Sequence, residues 1–383
     1  MAEAKIIIYG AKSIALGIGE AVRKLYPENP PLCFLVGSLQ GNPSMLMGLR
    51  VREIEEFVSA TGQENLGGFH VLVGTPEDMH QDIAGILRRY GFYNYTCMDS
   101  RKEAALMERY FNRLEIFPSV HSLPSGNGRI SLQVYLAKSA KDKKLSRAFS
   151  QPEWAVPIQV GAELTDLRTG ELTDHTACGR SVEYESSNDL QNDSCASYSI
   201  SAKNGNYCEL TALYWIWKNR LCSSLGEAGE YYGLFHYRRI LDISDEDLRR
   251  MKAAGTDVLL QYPTLHEPDI SEHHARYMKE GDWEAMLRAL RELQPEYAEA
   301  FPKILAQPYF YNYNLIVAKR RVLADYCAWL FPVLERTEQF STPRGCERAD
   351  RYIGYLGESL MTLYFLHHKE DLKIRHTGRL MLT

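Results

Sequence analysis

Little in this chain ties it to a particular partner or compartment. Against 44 Lys and Arg stand 49 Asp and Glu, a formal net charge of −5, so no global field draws it to nucleic acid or an anionic surface. Any anion site must therefore be local. No apolar run reaches the roughly 18 residues that a membrane-spanning helix needs. The start of the chain, AEAKIIIYG, is a strand-like run that meets a glycine at once. It lacks the longer apolar region and small-residue cleavage site of a secretion signal, so a cytoplasmic location is expected. The eight cysteines (33, 97, 178, 195, 208, 222, 327 and 346) are scattered without CxxC spacing, which argues for reduced thiols over a disulfide or metal framework. No internal repeat or low-complexity tract appears, and the first glycine turn, GAKSIALGIGE, lacks the GxGxxG pattern.

What is present is an ordinary globular composition, 45% hydrophobic and 24% charged, over 383 residues, too many for one typical core. Two domains are the expectation. Residues 1–115 alternate short apolar runs ending in glycine (5–9, 32–36, 70–73 and 93–98) with helical patterns, which predicts a Rossmann-like parallel sheet. The first turn puts glycines and a helix start at a strand end, open either to a structural role or to nucleotide or sugar binding. Residues 116–129 are rich in Pro, Ser and Gly and read as a linker. A second α/β domain follows over 130–383. Its basic run 138–147 reads as a solvated polar helix or as a peripheral membrane contact. The polar stretch 166–197 reads as a surface loop, a lid or a plain insertion.

Three constellations could carry chemistry. Residues 206–218 predict one helix with almost no polar face, Asn204 as its N-cap, Lys203 before it and a lone buried carboxylate, Glu209. A buried carboxylate needs a partner, and Arg238 or Arg239 is the nearest in sequence. The apolar run 231–235 then ends in His236, Tyr237, Arg238 and Arg239. Guanidinium groups bind phosphate oxygens bidentately, and two in a row suit a diphosphate. Strand alternation puts Arg238 with His236 and Arg239 opposite, so both reach one ligand only if the strand has ended. In the last helical pattern, 347–368, Arg351, Gly354, Tyr355 and Glu358 fall on one stripe, with Glu358 a candidate general base. Residues 309–317 predict a strand carrying Asn312 and Asn314, amides that suit sugar hydroxyls. Asp245-Glu246-Asp247 offers DxD spacing, but first-turn capping after Ser244 is the better account. The cluster 266–274, with His266, His273 and His274 among Glu267, Asp269 and Glu272, is a weaker metal candidate.

The segments VPIQVGA (156–162), SISAKNGNYCELTALYWIWKN (199–219), YYGLFHYRR (231–239), NLIVAK (314–319), YCAWLFPVLE (326–335) and RYIGYLGESL (351–360) resemble, in order, a bacterial family of capsular and exopolysaccharide synthesis proteins. That family was first catalogued as a domain of unknown function and is treated as glycosyltransferases with a GT-A-like nucleotide-sugar fold. The resemblance implies transfer of a sugar from a nucleoside diphosphate, UDP above all, to a glycan or lipid-linked acceptor. By it, Gln159, Gly161, Lys203, Asn204, Glu209, His236, Arg238 and Arg239 bind the donor. It also implies that Asn314, Arg351, Gly354 and Glu358 face the reacting sugar or acceptor; the residue reading adds Asn312 as a sugar contact and makes Glu358 with Arg351 the catalytic pair. This chain has Tyr198 and Ser199 where the family usually carries Asp-Asn, and Ser359 where an Arg commonly follows the glutamate. No DxD ends the 231–235 run. A metal-independent reaction is favoured, with Mn2+ or Mg2+ open. The rival readings are an inactive nucleotide-sugar or glycan-binding protein, and a bifunctional protein whose N-terminal half is itself an enzyme.

Overall fold

A computed structural model describes residues 4–146, 150–169, 172–175, 199–222, 230–344, 348 and 350–383. Most of the polar stretch 166–197, the Tyr198 position, Cys178, Cys195 and Cys346, and the end of the basic run lie outside the described residues.

The first sheet holds β1 (Lys5–Tyr9), β2 (Phe34–Val36), β3 (Met45–Leu46), β4 (Leu49–Glu53), β5 (Phe69–Val73) and β6 (Tyr95–Cys97). Its order is β3-β4-β2-β1-β5-β6, and all pairings are parallel except the short β3–β4 hairpin. Taken alone, the five parallel strands have the 3-2-1-4-5 order of a doubly wound sheet. Helices Ser13–Leu25 and Ser100–Leu114 cover one face through Ala15, Ile18, Leu106 and Phe111. Ile54, Phe57, Ile83 and Leu87 cover the other. Near-continuous apolar strands such as KIIIY are what a sheet buried on both faces requires. Sequence periodicity misses β3, β4 and the helix Ile54–Thr61, because the LRVRE strand alternates charge with apolar residues at a sheet margin.

The second sheet comprises β7 (Leu132–Ser139), β8 (Ala155–Val160), β9 (Tyr231–His236), β10 (Arg239–Leu241), β11 (Val258–Gln261), β14 (Ile316–Lys319), β15 (Ile374–Thr377) and β16 (Arg379–Met381). A separate pair, β12 (Thr264–Leu265) and β13 (Tyr309–Phe310), lies beside it. The β8-β7-β9 and β11-β15 pairings are parallel, whereas β14 runs antiparallel between β9 and β11. This mixed, parallel-rich sheet next to a doubly wound one is the α/β class expected from the sequence. Alternation splits the strands cleanly between two layers. Tyr232, Leu234, Leu260 and Ile316 pack on the helices Leu210–Ile216, Glu280–Leu293, Arg320–Phe340 and Tyr352–His367. Tyr231, Phe235, Leu259 and Val317 face the helix Asp245–Ala254. Ser244 and Asp247 form a capping box there, so the acidic triplet serves the helix start.

Several local expectations are corrected. The basic run is not a helix: Lys138 and Ser139 extend β7, paired with Gln159 and Val160 of β8. Residues 206–218 are not one helix. Asn204–Tyr207 stops at Cys208, whose φ of 51° no helix allows, and Leu210–Ile216 starts anew. Residues 309–317 are not one strand, because Tyr313 and Asn314 take left-handed φ of 69° and 50° between β13 and β14. Within 116–129, read from the sequence as a linker, Val120 is buried and Ser119 forms a bridge with His376.

Candidate functional site

A cavity of about 310 Å³ opens at the end of β9, where β7 and β9 run parallel. It is lined by side chains from three helix starts, the helix Ser271–Tyr277, one hairpin and two loops. The strand β9 ends in a two-residue turn, Tyr237-Arg238, and His236 pairs directly with Arg239 of β10. That turn overrides the alternation read from the sequence. His236 and Arg239 face the cavity together, while Arg238 points away and binds Asp78 of the first α/β unit at 2.9 Å. Arg239 lies over the Tyr313 ring at 4.4 Å. The expected pairing of both arginines on one ligand is therefore not what the structure builds.

Helix Tyr352–His367 brings its whole polar stripe to the cavity: Arg351 at the N-cap, then Gly354, Tyr355 and Glu358. The Arg351 Nε–H donates to Cys208 Sγ at 3.2 Å. Glu209, at the start of the helix Leu210–Ile216 rather than on a continuous helix face, accepts from Asn314 Nδ2 at 2.6 Å and lies 3.5 Å from His236 Nε2. Asn314 thus stands behind the wall and supports Glu209. Asn312 lines the cavity and accepts from Gln261 Nε2 at 2.5 Å through its Oδ1.

The two buried carboxyls are pushed apart in proton affinity. Burial, reinforced by the charge of Glu209, lifts Glu358 to about 8. Burial would also lift Glu209, but His236 and the Asn314 amide outweigh it and hold Glu209 below the usual glutamate value. Glu358 Oε1 accepts from the Tyr313 N–H at 2.9 Å, and its Oε2 lies 3.7 Å from His273 Nε2. Burial drives His273 down to about 3 and His266 to about 4, so both imidazoles are neutral at physiological pH. The Cys208 thiol, raised to about 12 by burial, is no nucleophile.

Besides Arg238, four of the donor-site expectations sit elsewhere. Gln159 holds the following loop, its Nε2 donating to Leu167 O and its Oε1 accepting from Thr169 N. Gly161 takes a left-handed φ of 65° and a Cβ there would strike Asn204. Its N–H donates to Asp174, which also accepts from Ser201. Lys203 pairs with Glu338 at 2.7 Å. Asn204 donates to Cys208 O, fixing the break that shapes the cavity wall. Of the thirteen residues singled out from the sequence, the cavity gathers Glu209, His236, Arg239, Asn312, Arg351, Gly354 and Glu358.

Sequence reasoning missed Ser13, Arg276, Tyr277 and Tyr313. Ser13 opens the first helix of the other α/β unit, and no spacing links it to residues two hundred positions on. Arg276, bound to Glu272, and Tyr277, stacked on Tyr355 at 5.1 Å, end the helix Ser271–Tyr277. The histidine cluster was visible, but as a metal set. Instead His266 bonds Glu272, and among the described residues no three His, Cys, Asp or Glu side chains converge as metal ligands. One further signal marks the place. Of seven non-glycine residues with left-handed φ among those described, Cys208, Tyr313 and Arg351 line the cavity and Asn314 stands directly behind it. Strain of this kind, about 1–3 kcal/mol each, collects where function requires a fixed geometry.

No curated protein matches the chain. A solved structure, the apo form of the WbbM bifunctional glycosyltransferase, is similar at 24% identity and a TM-score of 0.47, over 66% of this chain. The match spans less than half of that protein, 45% of its length. A family model described as a domain of unknown function, DUF4422, matches residues 140–369, and the chain belongs to that family.

Proposed function

We propose that the chain is a glycosyltransferase that moves a sugar from a nucleoside diphosphate donor, with UDP the expected carrier, onto a glycan or lipid-linked acceptor. The observation that carries this reading is the charge of the cavity: Arg239, Arg276 and Arg351 face it, against Glu209 as its ionised carboxylate. Three guanidinium groups around one cavity, Arg276 held by Glu272, neutralise charge as it develops on a leaving diphosphate. Transfer then needs no metal at this site. The stacked Tyr277–Tyr355 pair offers a flat face to a base or a sugar ring.

Glu358 is the proposed general base for the acceptor hydroxyl. Its partners, the Tyr313 N–H and His273, fix the carboxyl, and its raised proton affinity makes it a competent acceptor near neutral pH. Glu209 remains charged, orients His236 and holds the Asn314 amide. Incubating the full chain with a panel of nucleotide sugars, with and without Mn2+, and measuring nucleoside diphosphate release tests the proposal. Release from one donor without added metal is expected. No release from any donor under either condition would overturn it.

A further inference from the structure

A groove of about 640 Å³ adjoins the cavity and shares three of its lining residues, Ser13, His266 and Arg276. One side of the groove belongs to the first α/β unit: Lys12, Asn42, Pro43, Met45 and Leu46. The other side is the 265–276 segment of the second. The two sides are tied together, since the Met47 N–H donates to Glu267 Oε2 at 2.6 Å. So the hairpin β3–β4 is held along the groove beside the cavity.

The groove differs in character from the cavity it joins. Its two cations are matched by two carboxylates, and each charge is engaged. Lys12 Nζ donates to Gly41 O, Arg276 pairs with Glu272, Glu272 also takes His266, and Glu267 takes the Met47 amide. Apart from Arg276, which also faces the cavity at the shared boundary, the groove's charges are engaged within it. What remains open is a mixed surface of apolar side chains and neutral polar groups, including the half-exposed Met45 and the Asn42 amide. That combination suits the apolar faces and hydroxyl rims of sugar rings.

We infer that the groove between the two α/β units holds the second substrate, an uncharged oligosaccharide, and that the N-terminal unit therefore selects the acceptor. This rests on the transferase reading, because a bimolecular transfer requires the acceptor hydroxyl to meet the donor sugar in an adjoining compartment. Ser13, His266 and Arg276 form the boundary across which the two would meet.

The test uses the full chain on a printed array of neutral and acidic glycans, alongside calorimetry with UDP. Wild type is expected to retain neutral oligosaccharides. Asn42→Ala combined with Met45→Asp, both on exposed groove positions away from the cavity, should reduce that retention at least tenfold while leaving UDP affinity within about twofold. Retention of acidic glycans only, retention of none, or neutral binding unchanged in the variant would each overturn the inference. Groove-dependent neutral binding with no diphosphate release from any nucleotide sugar in the donor panel would instead refute the transferase reading and leave the groove standing as a glycan site. UDP binding and donor turnover with no groove effect would do the reverse.

Discussion

Glu358 and Glu209 face one cavity, yet one holds its proton to about pH 8 while the other gives it up below the usual range. Such divergence is how a site assigns an acid–base role to one carboxyl and an electrostatic role to the other. If Glu358 is the base, only its ionised form works, so kcat/KM should climb with pH and level off above about 8. Glu358→Gln should remove that limb and lower turnover by about 10²- to 10⁴-fold. A pH–rate profile of wild type and variant checks this, and a limb that survives the substitution would reassign the base. Glu209 was legible because a lone carboxylate stands out in an apolar helical run, and Arg351 and Glu358 because they share a polar stripe opposite a core face. Their partners were not: Arg276 and Ser13 are ordinary surface types in sequence, and only tertiary contact places them here.

At the scale of elements, the site is made by interruptions. Hydrophobic periodicity located most strands and helices of both sheets, since burial on two faces writes itself into near-continuous apolar runs. It ran straight through Cys208 and through Tyr313-Asn314, because left-handed backbone at non-glycine residues is imposed by neighbours and carries no local signal. It also separated His236 from Arg239, which a two-residue turn brings to one face while Arg238 turns away. The helix Tyr352–His367 can lie against the broken segment because its facing positions are glycines. A Cβ on Gly357 would come within 2.6 Å of Leu210, and one on Gly354 within 3.1 Å of Cys208 Sγ. In an isolated helix Gly357→Ala would gain about 1 kcal/mol. Here overpacking should win and cost a net ~1–2 kcal/mol. Urea unfolding of the variant decides the sign, and a stabilised protein would show that Leu210 can move aside.

For the whole molecule, the question is what holds the two α/β units in register, since Ser13 reaches the cavity only if they stay so. Arg238–Asp78 and the Met47–Glu267 bond cross the boundary directly. A third tie is His121, which lies 2.9 Å from Glu108 and 3.6 Å from the buried Asp247, and whose proton affinity these partners raise to about 10. A folded-state value raised above the unfolded one stabilises fully below about pH 6.5, and that contribution fades as pH rises toward 10. Thermal stability should therefore fall over that window, and His121→Ala should flatten the fall. Because His121 is partly exposed, solvent screening keeps the effect modest. The cavity shared by the two α/β parts was not visible in the sequence, because no pattern within either part encodes a contact between them. Calorimetric titration of UDP into the full chain puts the central claim to the test. Arg239→Ala, Arg276→Ala and Arg351→Ala should each weaken binding by about tenfold or more, the loss of a charged hydrogen bond, while Arg238→Ala stays near wild type. Equal affinity across all four variants, or no binding by wild type, would contradict the account.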